Sequence, residues 1–101
     1  MKLRLIDEAR LELLEAISYY KSIDSALGQR FDIEVESGIR RISNHPQHFH
    51  LRAGGYRRIN LRDFPYFISF ITRKDTLWVL AFAHASRRPH YWISRKKGIQ
   101  E

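Results

Sequence analysis

Cysteine is absent from all 101 residues, which excludes disulfide bonds and thiolate metal centres and accords with a reducing compartment. Also missing is any apolar run near the roughly 18 to 20 residues that a bilayer-spanning helix requires. The first ten residues, MKLRLIDEAR, carry charges and lack the continuous apolar stretch of a secretory signal. These absences point to a cytoplasmic protein that does not enter a membrane. The chain contains no internal repeat and no low-complexity tract. Acidic residues are scarce in one half only: residues 1–51 hold seven Lys/Arg and eight Asp/Glu, whereas residues 52–101 hold eleven and three. The net charge of +7 therefore sits in the second half. A basic face suits a polyanion such as nucleic acid or an acidic protein partner, with a solubilising surface as the plain alternative.

What is present is enough for one core. Apolar residues make up 44% of the chain and aromatics 13%, the composition of a folded protein. Residues 1–101 are therefore read as a single domain. Leu3 and Leu5 alternate with Lys2 and Arg4 in a short strand at the side of a sheet. Asp7 is placed to cap a first helix, in which Ala9, Leu13, Ala16, Ile17 and Tyr20 recur at three and four to about Lys21. Asp24 or Ser25 can cap a second, where Leu27, Phe31, Val35, Ile39 and Ile42 form the apolar stripe, ended by the His45-Pro46 step. Two amphipathic helices joined so tightly fold back on each other and need a surface to cover. Strands at 56–61, 66–73 and 77–84 supply it, the last two closed into a hairpin by the turn at Lys74 and Asp75. Gly54 and Gly55 sit in the preceding loop, free to take backbone angles that other residues avoid. The pattern of residues 91–97 fits either a short helix or an extended tail.

Three constellations bear on chemistry. His45, His48 and His50 give H-x-x-H-x-H, but with no acid beside them and no helix to fix their spacing the expectation is a solvated loop and no metal. Arg57, Arg58 and Arg62 lie on or beside one strand, and alternation sends Arg57 and Arg58 to opposite faces. They are candidates for target contact, as are Arg87, Arg88 and Trp92 after the last strand. The third group, His84, Arg87 and Tyr91, combines a proton donor or acceptor, a cation and a phenol, the parts a nuclease would use. Trp92 has two readings, a stacking surface or a buried anchor for the tail, and burial is the commoner fate of Trp.

With these residues in view, the chain resembles the RelE/ParE superfamily of bacterial toxins from type II toxin–antitoxin systems. The resemblance runs through RRISNHP at the end of the second helix, NLRDFPYFISF, and VLAFAHASRRPHYWISR with its H-x-x-R-x-P-x-Y-W ending. It implies an α+β fold of order β-α-α-β-β-β, a helical hairpin on an antiparallel sheet, with no cofactor and a cognate antitoxin as partner in a hetero-oligomer. Two activities share that fold. RelE-like members cut mRNA on the ribosome; ParE-like members inhibit DNA gyrase and hydrolyse nothing. In the nuclease pattern an arginine follows the tyrosine that opens the central strand, and here Tyr66 is followed by Phe67. The second helix is long, as in ParE, and no acid is expected beside the His84, Arg87 and Tyr91 group. The resemblance thus implies a ParE-like plasmid-stabilisation toxin acting on gyrase. A ribosome-dependent nuclease, and an inactive relative that only binds antitoxin, stay open as alternatives.

Overall fold

A computed structural model of the chain describes residues 1–87 and 91–99. Strand β1 (Lys2–Leu5) leads into helices α1 (Asp7–Ile23) and α2 (Ser25–Asn44), followed by β2 (Arg57–Asn60), β3 (Tyr66–Arg73) and β4 (Thr76–His84). This is the expected β-α-α-β-β-β order. The strands line up as β1-β4-β3-β2. The antiparallel part is β2–β3–β4, and β1 joins it at one edge, parallel to β4. The tail takes the helical alternative, a 3-10 helix over Ile93–Gly98.

The helix starts follow from local hydrogen bonding. Asp24 adopts extended backbone angles and its Oδ1 accepts from the Ala26 amide at 2.9 Å, satisfying one of the orphan donors of α2. Asp7 does not cap α1 as expected: Ile6 holds that position without a side-chain bond. Asp7 instead lies with Glu8 inside the first turn, where the helix dipole favours negative charge. The hairpin closes tightly at Gly28, since a Cβ there would fall 3.0 Å from the backbone N and Cα of Lys21.

β3 and β4 are buried along most of their length because both faces of the sheet are covered. One face carries the helices, with Phe31, Val35 and Ile42 of α2 and Ala9 and Ala16 of α1 packed on Ile59, Ile68, Phe70, Leu77, Val79 and Phe82. The other is covered by the C-terminal segment, whose Trp92 packs among Tyr56, Phe67, Ile71, Leu80, Ala81 and Ala83. No helix among the described residues is long and apolar enough to cross a membrane.

Candidate functional site

A bulge in β4 decides what faces the helices at the end of the sheet. Phe70 pairs with Val79 but Ser69 pairs with Ala81, so Leu80 is an extra residue. Strict alternation would carry the helix-facing series Leu77, Val79 on to Ala81 and Ala83. The extra residue shifts the phase, so Phe82 joins the helix side while Ala81 and Ala83 join the other. His84, two residues on, follows Phe82 to the mouth of the helix side and packs edge-on against Tyr66 at 5.1 Å.

There it meets α1 and the C-terminal segment in a cleft of about 260 Å³ lined by Glu12, Tyr66, His84, Arg87 and Tyr91. The Nδ1 of His84 is 3.0 Å from the Ser86 amide and 2.7 Å from the Ser86 hydroxyl. A backbone N–H can only donate, so Nδ1 accepts, and in the neutral ring the proton is carried by Nε2. The Arg87 guanidinium lies 4.4 Å from the centre of the Tyr91 ring, a cation–π contact. Tyr91 itself is committed, its hydroxyl donating to Glu12 Oε2 at 2.6 Å.

Glu12 is the centre of this arrangement. Arg95 grips it with two bonds, Nη1 to Oε1 at 2.9 Å and Nη2 to Oε2 at 3.2 Å, and the Phe82 amide donates to Oε1 at 3.2 Å. Nη1 of Arg95 also donates to the carbonyl of the bulged Leu80 at 2.9 Å. β1 reaches only as far as Val79 on this edge. Beyond it, the Glu12–Arg95 pair serves the backbone groups that a longer strand would have bonded. Burial pushes the Tyr91 phenol up to about 12, with the hydrogen bond to Glu12 and its charge adding and Arg87 and Arg95 opposing. Burial also raises the Tyr66 phenol, with Tyr20, Tyr19 and Glu15 adding to it.

The Tyr91 shift has a consequence in alkali. A phenol harder to ionise in the folded state than at its ordinary value of 10.0 favours the fold while protonated. That contribution is complete below pH 10 and is lost as pH rises towards about 12. Spectrophotometric titration of the phenolates should show a late step near pH 12 that Tyr91→Phe removes.

The structure brings some of the expected residues together and separates others. His84, Arg87 and Tyr91 share the cleft. The expectation that no acid stands beside them is corrected: Glu12 does, delivered by α1, which crosses β4 at that level. A signal existed in the sequence, since Glu12 falls three residues after buried Ala9 and four before buried Ala16, a carboxylate on an apolar stripe. Arg95, its partner, gave no such signal. The arginines of β2 diverge. Arg57 donates from Nε to the Phe49 carbonyl at 2.9 Å. Arg58 lies on the opposite face, 4.5 Å from the Phe67 ring centre, and Arg62 is exposed beyond the strand end. Neither Arg58 nor Arg62 lines the cleft, so neither supplies the cation missing at Phe67. Trp92, a candidate surface contact, is 1% exposed and stands edge-on to Tyr56 at 4.5 Å, which makes it an anchor of the C-terminal segment. Arg88 lies outside the described residues. His45 and His48 stack at 4.6 Å, and no cluster of His, Cys, Asp or Glu suited to a metal ion occurs among the described residues.

Comparisons with known proteins agree with this architecture. Residues 3–89 match the family model described as the ParE toxin of type II toxin–antitoxin systems, parDE. Toxin ParE2 of Mycobacterium tuberculosis, from strains CDC 1551 / Oshkosh and ATCC 25618 / H37Rv alike, is 28% identical over 90 residues, covering 88% of this chain and 86% of the relative. In fold the chain is similar to a solved structure titled chromosomal ParDE TA system from P. aeruginosa, with a TM-score of 0.71, 12% identity, and coverage of 83% of this chain and 95% of the other. With the family's pattern present along nearly the whole length, the chain belongs to the ParE toxins of type II toxin–antitoxin systems.

Proposed function

We propose that this ParE-family toxin arrests growth by binding and inhibiting DNA gyrase, without cutting RNA, and that its cognate antitoxin silences it. The observation that carries the reading is the state of Tyr91. A phenol that donates to a carboxylate at 2.6 Å and ionises only near pH 12 is held away from proton transfer at neutral pH. Phe67, at the position of the nuclease arginine, is buried under Trp92 and contributes no charge. RNA cleavage needs both proton transfer and stabilisation of the phosphorane charge, and loss of one stabilising donor typically removes about 3 kcal/mol of barrier lowering. Arg87 is then a contact to the target, set against the Tyr91 ring at the cleft mouth.

Purified protein should inhibit gyrase supercoiling or trap cleaved DNA while leaving ribosome-bound mRNA intact. Arg87→Ala should raise the concentration needed by about tenfold, the effect of one well-placed interface arginine. A second reading, the ribosome-dependent nuclease, is favoured by the convergence of His84, Arg87 and Tyr91 on one cleft. Cuts in A-site codons that disappear in His84→Ala or Tyr91→Phe would establish it and overturn the first.

A further inference from the structure

We propose that the outer edge of β1 pairs with the same strand of a second copy of this chain, antiparallel about a two-fold axis at Leu5, so that the free toxin is a symmetric dimer. The inference goes beyond the activity proposed above and does not depend on it. β1 ends the sheet on the side away from β2, and the described residues place no strand beyond it. The Lys2 amide donates to the Asp75 carbonyl at 2.9 Å, and the Ile6 amide to the Val79 carbonyl at 3.3 Å. Residues of a parallel strand alternate in the side to which they bond, so Lys2, Arg4 and Ile6 serve β4 while the N–H and C=O groups of Leu3 and Leu5 turn outward. They open into a trench of about 700 Å³ between the first turn of α1 and the C-terminal 3-10 helix, lined by Arg4, Asp7, Glu8 and Arg95 among others. A strand edge left open in this way is a template for another strand.

Charge selects both the partner and the register. In the segment KLRLIDE, Lys2 and Arg4 precede Leu5, and Asp7 and Glu8 follow it. None of these four makes a salt bridge among the described residues, Arg4 lying instead over the Trp78 ring at 5.9 Å. A two-fold interface must be complementary to itself, and this segment read antiparallel against its own copy is so. Because only Leu3 and Leu5 bond outward, three registers are available. Leu3 against Leu5 sets the two Arg4 side chains directly opposite each other, and Leu3 against Leu3 sets Lys2 opposite Arg4; like charges so placed are destabilising. Leu5 against Leu5 instead brings Lys2 and Arg4 of each copy towards Glu8 and Asp7 of the other. An acidic peptide in the trench would answer the two cations and set its carboxylates against Asp7 and Glu8, and a basic peptide would meet the reverse conflict. The trench shares no lining residue with the His84 cleft, so the dimer leaves the cleft of each copy open.

The test uses the full chain without its antitoxin. Sedimentation over about two decades of concentration should show a monomer–dimer equilibrium, and the melting temperature should rise with concentration. Hydrogen exchange at the amides of Leu3 and Leu5 should slow by at least about tenfold from the dilute to the concentrated sample. Lys2→Glu with Arg4→Glu should weaken the dimer by about tenfold or more, and adding Asp7→Lys with Glu8→Lys should restore it, because the swapped segment is again complementary to itself. Leu3→Pro removes an outward N–H and no bond to β4, a change that an edge strand tolerates, and should weaken the dimer as well. A chain that stays monomeric throughout, or one that dimerises while Leu3 and Leu5 exchange at an unchanged rate, overturns the proposal. So does protection of these two amides only when antitoxin is added, which would give the edge to that partner. The exchange of the unaltered chain decides the matter even where a variant fails to fold.

Discussion

Glu12→Ala should destabilise the fold by about 3 kcal/mol, near the lower end of what breaking a buried ion pair costs. The pair is 16% and 19% exposed, so some solvent screening reduces the cost from that of a fully dry site. Four donor groups lose their acceptor at once: two on Arg95, the Tyr91 hydroxyl and the Phe82 amide. At this chain length, a loss of about 3 kcal/mol lowers the melting temperature by roughly 12 to 24 °C. The damage should also be directional. With Glu12 gone, Tyr91 and Arg95 no longer tie the C-terminal segment to α1, so exchange should rise first at residues 91–99 and at the bulged part of β4. Glu12→Gln, which keeps one acceptor but no charge, should fall between. Replacing both partners, Glu12→Leu with Arg95→Met, should recover part of the loss because no charge is then left unpaired. A Glu12→Ala variant that unfolds within about 1 kcal/mol of the parent, as surface ion pairs do, would show that the network does not hold the segment.

Much of the scaffold was legible because its signals are local. The apolar stripe of α2, from Leu27 to Ile42, and the β-branched and aromatic run of β3 each follow one period, and each element ends where a Pro step or a polar turn interrupts it. The cleft was only half legible. His84, Arg87 and Tyr91 stand together in the sequence, so their proximity could be expected. Glu12 lies 79 residues from Tyr91 and is brought to it only by the way α1 crosses β4. The bulge at Leu80 was invisible for a different reason. VLAFA is apolar throughout, and a strand buried on both faces has no alternation from which a change of phase could be read. The parallel pairing of β1 is likewise a property of where the helical hairpin returns the chain, which no four-residue strand encodes.

Phe31→Ala should cost about 4 kcal/mol, in the range for removing a fully buried aromatic ring, and lower the melting temperature by roughly 16 to 32 °C. The ring is 0% exposed and lies 4.9 Å from Tyr20, 5.0 Å from Phe64 and 5.3 Å from Tyr66, joining both helices to the turn before β3 and to β3 itself. The contacts with Phe64 and Tyr66 are edge-on, at 81° and 68°, which adds an electrostatic gain to the apolar burial. A hole at Phe31 would be bounded by these rings, and large planar side chains anchored on separate elements close a cavity poorly. Phe31→Leu, which refills most of the volume, should cost no more than about 1.5 kcal/mol. The effect should reach the cleft, because Tyr66 touches Phe31 on one side and His84 on the other. The ring-proton resonances of His84 should therefore shift in Phe31→Ala and stay near their native positions in Phe31→Leu. A cost below about 2 kcal/mol for the alanine variant, with His84 unmoved, would mean that the neighbouring rings collapse into the hole and that the cluster does not position the cleft.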